Sequence, residues 1–112
     1  MKMIKALFLL ILIIPSLAWS SGNSGKGDID YLYQRSSDGL LGVFKKNGNW
    51  SNPDDCDSSE RIVLKRSNEF SAEFYSAILA SKMSQSEFQA FLLGCVDWNG
   101  TTYPVIFGVY TY

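Results

Sequence analysis

An apolar leader followed by only two cysteines limits most strongly what this chain can become. Residues 4–14 read Ile-Lys-Ala-Leu-Phe-Leu-Leu-Ile-Leu-Ile-Ile, behind Lys2 and ahead of Pro15, Ser16 and Ala18. A basic start, an apolar centre and small residues at the exit are the layout of a secretory signal peptide. The run is shorter than the ~20 apolar residues that carry a helix across a bilayer, so no membrane span is expected once the leader is removed. Cleavage after Ser20 leaves a mature chain beginning at Ser21; cleavage after Ala18 is the alternative. The expected location is secreted or periplasmic. In such an oxidising compartment, Cys56 and Cys95 are expected to form one structural disulfide.

Charge and composition exclude several chemistries. Lys2 and Lys5 leave with the leader, so eight of the ten basic residues remain against eleven acidic ones, a mature net charge of −3. Nucleic acid is not expected as a partner, because a phosphate-binding surface needs clustered Lys and Arg. The dense basic spots Lys45-Lys46 and Lys65-Arg66 read as solvated strand ends. The chain has no histidine, which removes Ser-His-Asp and Cys-His nucleophile activation and histidine zinc sites together. Asp54, Asp55, Asp57 and Glu60 lack the ligand spacing and central glycine of a calcium-binding EF-hand loop and read as a polar loop beside the disulfide. No catalytic residue, metal site or cofactor is expected, and a binding module is favoured over an enzyme.

The pattern along the mature chain divides into a flexible N-terminus over 21–27, rich in Ser and Gly, and one domain over 28–112. Ile29 to Arg35 and Leu40 to Lys46 read as strands around the turn Ser37-Asp38-Gly39. Asn47-Gly48 offers a second turn, and Ser51 to Ser59 reads as a loop pinned by Cys56. Arg61 to Arg66 suits a third strand. A helix is predicted over 69–83, capped by Asn68, with Phe70, Phe74, Ala77, Ile78 and Met83 on the core side. Phe88 to Val96 and Tyr103 to Tyr112 complete the pattern around Asn99-Gly100. The fold class is therefore α+β, in the order β-β-β-α-β-β. That order matches a small OB-like barrel, and it also matches an unrelated sheet with a helix on one face.

Three segments carry a family resemblance: Asn68 to Met83, Phe88 to Cys95, and Tyr103-Pro104 to Tyr110. From about Arg61 onward the chain resembles the B subunits of subtilase-cytotoxin-type pentameric toxins, small secreted bacterial OB-fold proteins. The resemblance implies an OB barrel and glycan binding by a pentamer that carries a separate catalytic subunit. It transfers no sugar-contacting residue, because those of the toxin subunits lie mainly in N-terminal strands and loops that match nothing here. Cys56 and Cys95 match the pattern in a structural role.

Trp50, Trp98 and Tyr103 are the candidate ligand-binding residues, since aromatic faces pack on the C–H surfaces of sugars. Each has a competing reading as core or rim, as do Tyr110 and Tyr112 at the edge of the last strand. Asn49-Trp50-Ser51 and Asn99-Gly100-Thr101 fit the N-glycosylation acceptor, but the Lys-led leader reads as bacterial, where such acceptors have no role. The expected function is a secreted, non-catalytic binding module for glycans. The alternative is a periplasmic or secreted inhibitor or structural partner protein, acting through a Trp50 loop or an exposed last strand.

Overall fold

The computed structural model describes residues 20–35 and 37–110. Residues 1–19 of the 1–20 leader, and Tyr112, therefore lie outside the described residues. Two strands, β2 (Ile29–Arg35) and β3 (Leu40–Lys45), the second a nearly continuous apolar run, pair as an antiparallel hairpin. Gly39, at φ +65°, supplies the left-handed turn residue between them. β4 (Arg61–Lys65) pairs with β3, Val43 facing Ile62 and Phe44 facing Arg61. A helix, α1 (Ser71–Ser84), separates β4 from β5 (Ala90–Trp98), which turns directly into β6 (Thr101–Val109). Asn99 and Gly100 both have positive φ, the backbone a two-residue hairpin turn demands. β6 then lies parallel to β4, with Val63 opposite Val105. The chain is thus an α+β domain built on a six-stranded sheet, one helix and one disulfide.

The stretch over 21–27, expected to be flexible, carries backbone pairing to the rest of the sheet. A short strand, β1 (Gly22–Asn23), pairs antiparallel with β5, and Gly27 bridges to Phe88. Between them Ser24 is fully buried: its amide donates to the Ala90 carbonyl at 2.8 Å, and its hydroxyl accepts the Ala90 amide at 2.9 Å. Small residues are needed for this approach, since a Cβ on Gly22 would come within 2.9 Å of Pro53. The sheet order is β1-β5-β6-β4-β3-β2, so its first and last strands belong to one continuous segment.

The main core lies inside this wrapped sheet, where Val43, Ile62, Leu92 and Ile106 meet Ile78 of α1 and the rings of Trp50 and Phe88. β4 is buried on both faces, and Val63 points the other way, against Trp98 and Tyr103. The helix starts two residues later than expected, because the Asn68 side chain accepts the Phe70 amide and closes a turn before α1 instead of capping it. Phe70 and Met83 consequently stand exposed, outside the buried stripe, and Phe74 and Tyr75 flank Ile78 on the core side. Gln85 ends the helix at φ +56°, with its amide and that of Ser86 closing on Lys82 and Ser81. The last two strands also differ from expectation, running over 90–98 and 101–109 around a tight turn, so β6 lies between β5 and β4 rather than at an edge.

Candidate functional site: an aromatic face locked by Arg61

The disulfide joins Cys56, in the loop between β3 and β4, to Cys95 on β5, with the two Cα atoms 5.7 Å apart. The acidic residues around it serve as latches. Asp54 accepts the Gly94 amide through Oδ2 at 2.6 Å, and its Oδ1 is buried without a hydrogen-bond partner. Asp57 accepts the Thr102 amide while its own amide donates to the Thr102 hydroxyl, so loop and β6 are tied reciprocally. Among the described residues no group of three or more His, Cys, Asp or Glu is placed to hold a metal ion.

On the outward face of β2, Tyr31, Tyr33 and Arg35 follow one another with the two-residue period of a strand. Tyr31 and Tyr33 are 49% and 40% exposed, an unusual amount for adjacent aromatic rings on one face. Each rests on a second ring: Tyr31 stacks on Phe44 at 4.2 Å, and Tyr33 on Trp98 at 5.9 Å. Trp98 reaches this face from the end of β5 by crossing over Gly42, where a Cβ would sit only 3.3 Å from the indole and 3.2 Å from the Arg61 stem. Its Nε1 donates to Asp38 Oδ2 at 2.9 Å, and Asp38 also pairs with Arg35 Nε at 3.4 Å. The turn between β2 and β3 thereby fixes the indole. The Tyr33 hydroxyl, and after it Asp38, hold the Arg35 guanidinium above its ordinary pKa.

Arg61 lies at the centre. Its guanidinium carbon is 4.5 Å from the Tyr103 ring, 4.6 Å from Phe44 and 5.1 Å from Trp98, three cation–π contacts on one cation. Nη2 donates to Glu60 at 2.8 Å, whereas Nε is buried with no hydrogen-bond partner. These residues line a cleft of ≈ 370 Å³ that extends to Asn99 and Thr101 on the β5–β6 turn. What the arrangement offers chemically is a flat aromatic surface, two exposed phenol hydroxyls and a guanidinium whose orientation is already set.

Of the three candidates from sequence, the structure brings two together. Trp98 and Tyr103 sit edge to face at 6.4 Å, but at 4% and 7% exposure they form the floor of the site. Trp50 is not part of it. At 2% exposure it belongs to the main core, donating from Nε1 to the Val43 carbonyl at 2.9 Å and meeting Phe88 edge-on. A Trp50 loop is therefore not on offer to a partner, and neither is β6 as a free edge. Tyr31, Tyr33, Phe44 and Arg61 were missed; the signal available was the alternation of Tyr31 and Tyr33 with Leu32 between them.

No family model matches the chain, and neither a curated protein nor a solved structure matches it. Among the described residues no helix is long and apolar enough to cross a membrane.

Proposed function

We propose that this protein is an exported, non-catalytic glycan-binding module of OB type, and that its sugar site is the face built on Arg61. The OB reading is supported by the path of the chain. One segment, 22–35, pairs first with β5 and then with β3; β4 and β6 run parallel; and α1 falls between β4 and β5. OB barrels take oligosaccharides and oligonucleotides on their second and third strands, between the first and last hairpin loops. Here β3 and β4 occupy those positions, and the turns over 37–39 and 99–100 stand in place of those loops. The observation that carries the glycan reading is the pair of exposed rings, Tyr31 and Tyr33, beside a guanidinium held flat by three aromatic neighbours. Such a surface receives the C–H face of a pyranose on the rings and its hydroxyls on the guanidinium and phenols. A ring of subunits, as the toxin resemblance implies, belongs to the same proposal.

Glycan-array screening of the mature, disulfide-bonded chain, followed by calorimetry on the ligands found, tests the site. Tyr33→Ala and Arg61→Gln should each weaken binding roughly tenfold or more, about 1.4 kcal/mol. Unchanged affinity in both variants would refute this placement. A second reading, binding to a protein partner, is favoured by Phe107, which is exposed on β6 beside Phe91. Light scattering separates the assemblies: a self-associated ring keeps the toxin comparison alive, and a monomer removes it.

A further inference from the structure

We propose that the cleft between the start of α1 and the ends of β2, β3 and β4 is a second binding site, sharing only Arg35 with the cleft of the aromatic face, for a single-chain amphipathic carboxylate of the fatty-acid class. The cleft encloses ≈ 610 Å³, larger than the one over Arg61 and inside the ~300–1,000 Å³ range of small-molecule sites. Its floor is apolar. Leu41 and Leu64 face each other across the β3–β4 ladder, and the half-buried Tyr75 lines the cleft beside them.

Its rim is of one sign. Arg35 and Arg66 both line the cleft, and no aspartate or glutamate does. Arg35 is engaged through Nε by Tyr33 and Asp38. The Arg66 side chain, in contrast, makes no hydrogen bond or ion pair with any described residue, although its backbone is fixed by the Gly39 carbonyl at 2.9 Å. A guanidinium with no partner among the described residues, at the mouth of an apolar cleft, is complementary to a planar anion with an apolar body. The fork of N–H groups donates bidentately to a carboxylate. Ser71 and Ala72 bring the positive end of the α1 dipole to the same wall, where no side chain caps the helix; this adds to a site that the cavity and Arg66 already define. The occupant is one acyl chain: β2 and α1 wall the cleft on two sides, and the carboxylate meets Arg66 as the tail lies over Leu41, Leu64 and Tyr75.

Calorimetric titration of the mature chain with decanoate, and with decanol as its neutral counterpart, tests the proposal. Decanoate should bind saturably and at least roughly tenfold more tightly than decanol. Arg66→Gln, an exposed substitution, should bring decanoate down to the level of decanol without lowering the melting temperature. Amide shifts on titration should centre on Gly39, Ala72 and Tyr75. Absence of saturable decanoate binding at millimolar concentration, equal affinity for the two ligands, an unaffected Arg66→Gln variant, or shifts centred on Tyr33 and Asn99 would each overturn it. Arg61→Gln should leave decanoate binding intact and Arg66→Gln should leave any glycan binding intact, so the two sites stand or fall separately.

Discussion

Removing the disulfide, by the double substitution Cys56→Ala and Cys95→Ala, should cost about 4 kcal/mol of stability. The bond closes a loop of sequence separation 39 that contains β4, α1 and more than half of β5. In the chain-entropy treatment, a loop of that size withdraws about 13 cal/mol/K from the unfolded ensemble, roughly 3.9 kcal/mol at 25 °C. The native side of the balance changes little. The Asn52 side chain grips both the amide and the carbonyl of Cys56 at 2.8 Å, and Asp54 holds the Gly94 amide next to Cys95. The loop therefore stays docked when the sulfur atoms are gone, and the effect belongs to the unfolded chain. Urea unfolding followed by tryptophan fluorescence reads this directly, since Trp50 and Trp98 are both buried. The variant should lose on the order of 4 kcal/mol, a large part of the ~5–15 kcal/mol typical of a domain. Its m-value should rise, because the unlinked unfolded chain exposes more surface. Melting should fall by roughly 15–30 °C. A loss under about 1 kcal/mol with an unchanged m-value would show that the unfolded chain is already held compact by other means, and the entropic argument would fail.

Two further substitutions probe the closure and the core. Ser24→Ala removes the hydroxyl that accepts the buried Ala90 amide and should cost about 1–3 kcal/mol, with faster hydrogen exchange at Ala90; an effect within ~0.5 kcal/mol would place residues 22–27 outside the folded unit. Trp50→Phe leaves the Val43 carbonyl without its indole donor and opens space beside Phe88, so denaturation should show a loss of about 2–3 kcal/mol while ligand binding at the Arg61 face is unchanged. A ligand-binding defect at full stability would restore Trp50 to the site.

Strands and turns were legible where their chemistry is local. Ile29–Arg35 begins and ends where alternation and the Asp38-Gly39 turn put it, and Asn99-Gly100 makes the hairpin expected of that pair. The 21–27 segment was illegible because Ser and Gly carry no periodicity; its order comes from Ser24 hydrogen bonding to Ala90, a partner set only by the finished sheet. The helix stripe failed at its ends for a related reason: Phe70 and Met83 have suitable spacing, yet the buried face is decided by what Ile78 packs against. Arg61 was the largest omission. A cation in a strand reads as a polar end, and its role appears only when β3, β5 and β6 bring Phe44, Trp98 and Tyr103 around it. Trp98 and Tyr103 were legible as aromatics beside a turn, whereas Trp50, with the same local signature, went to the core.

Because one stretch supplies both outer strands of the sheet, the order in which the molecule can be assembled is constrained. The β2–β3–β4 meander forms from sequence neighbours and can organise early, as local pairings do. Residues 22–27, though they emerge before every other strand of the sheet, have nothing to pair with until Phe88 to Leu92 has followed. A chain interrupted before that point leaves residues 22–27 loose and the outer side of β4 bare, so completion of the β5–β6 hairpin is what protects that segment from proteolysis.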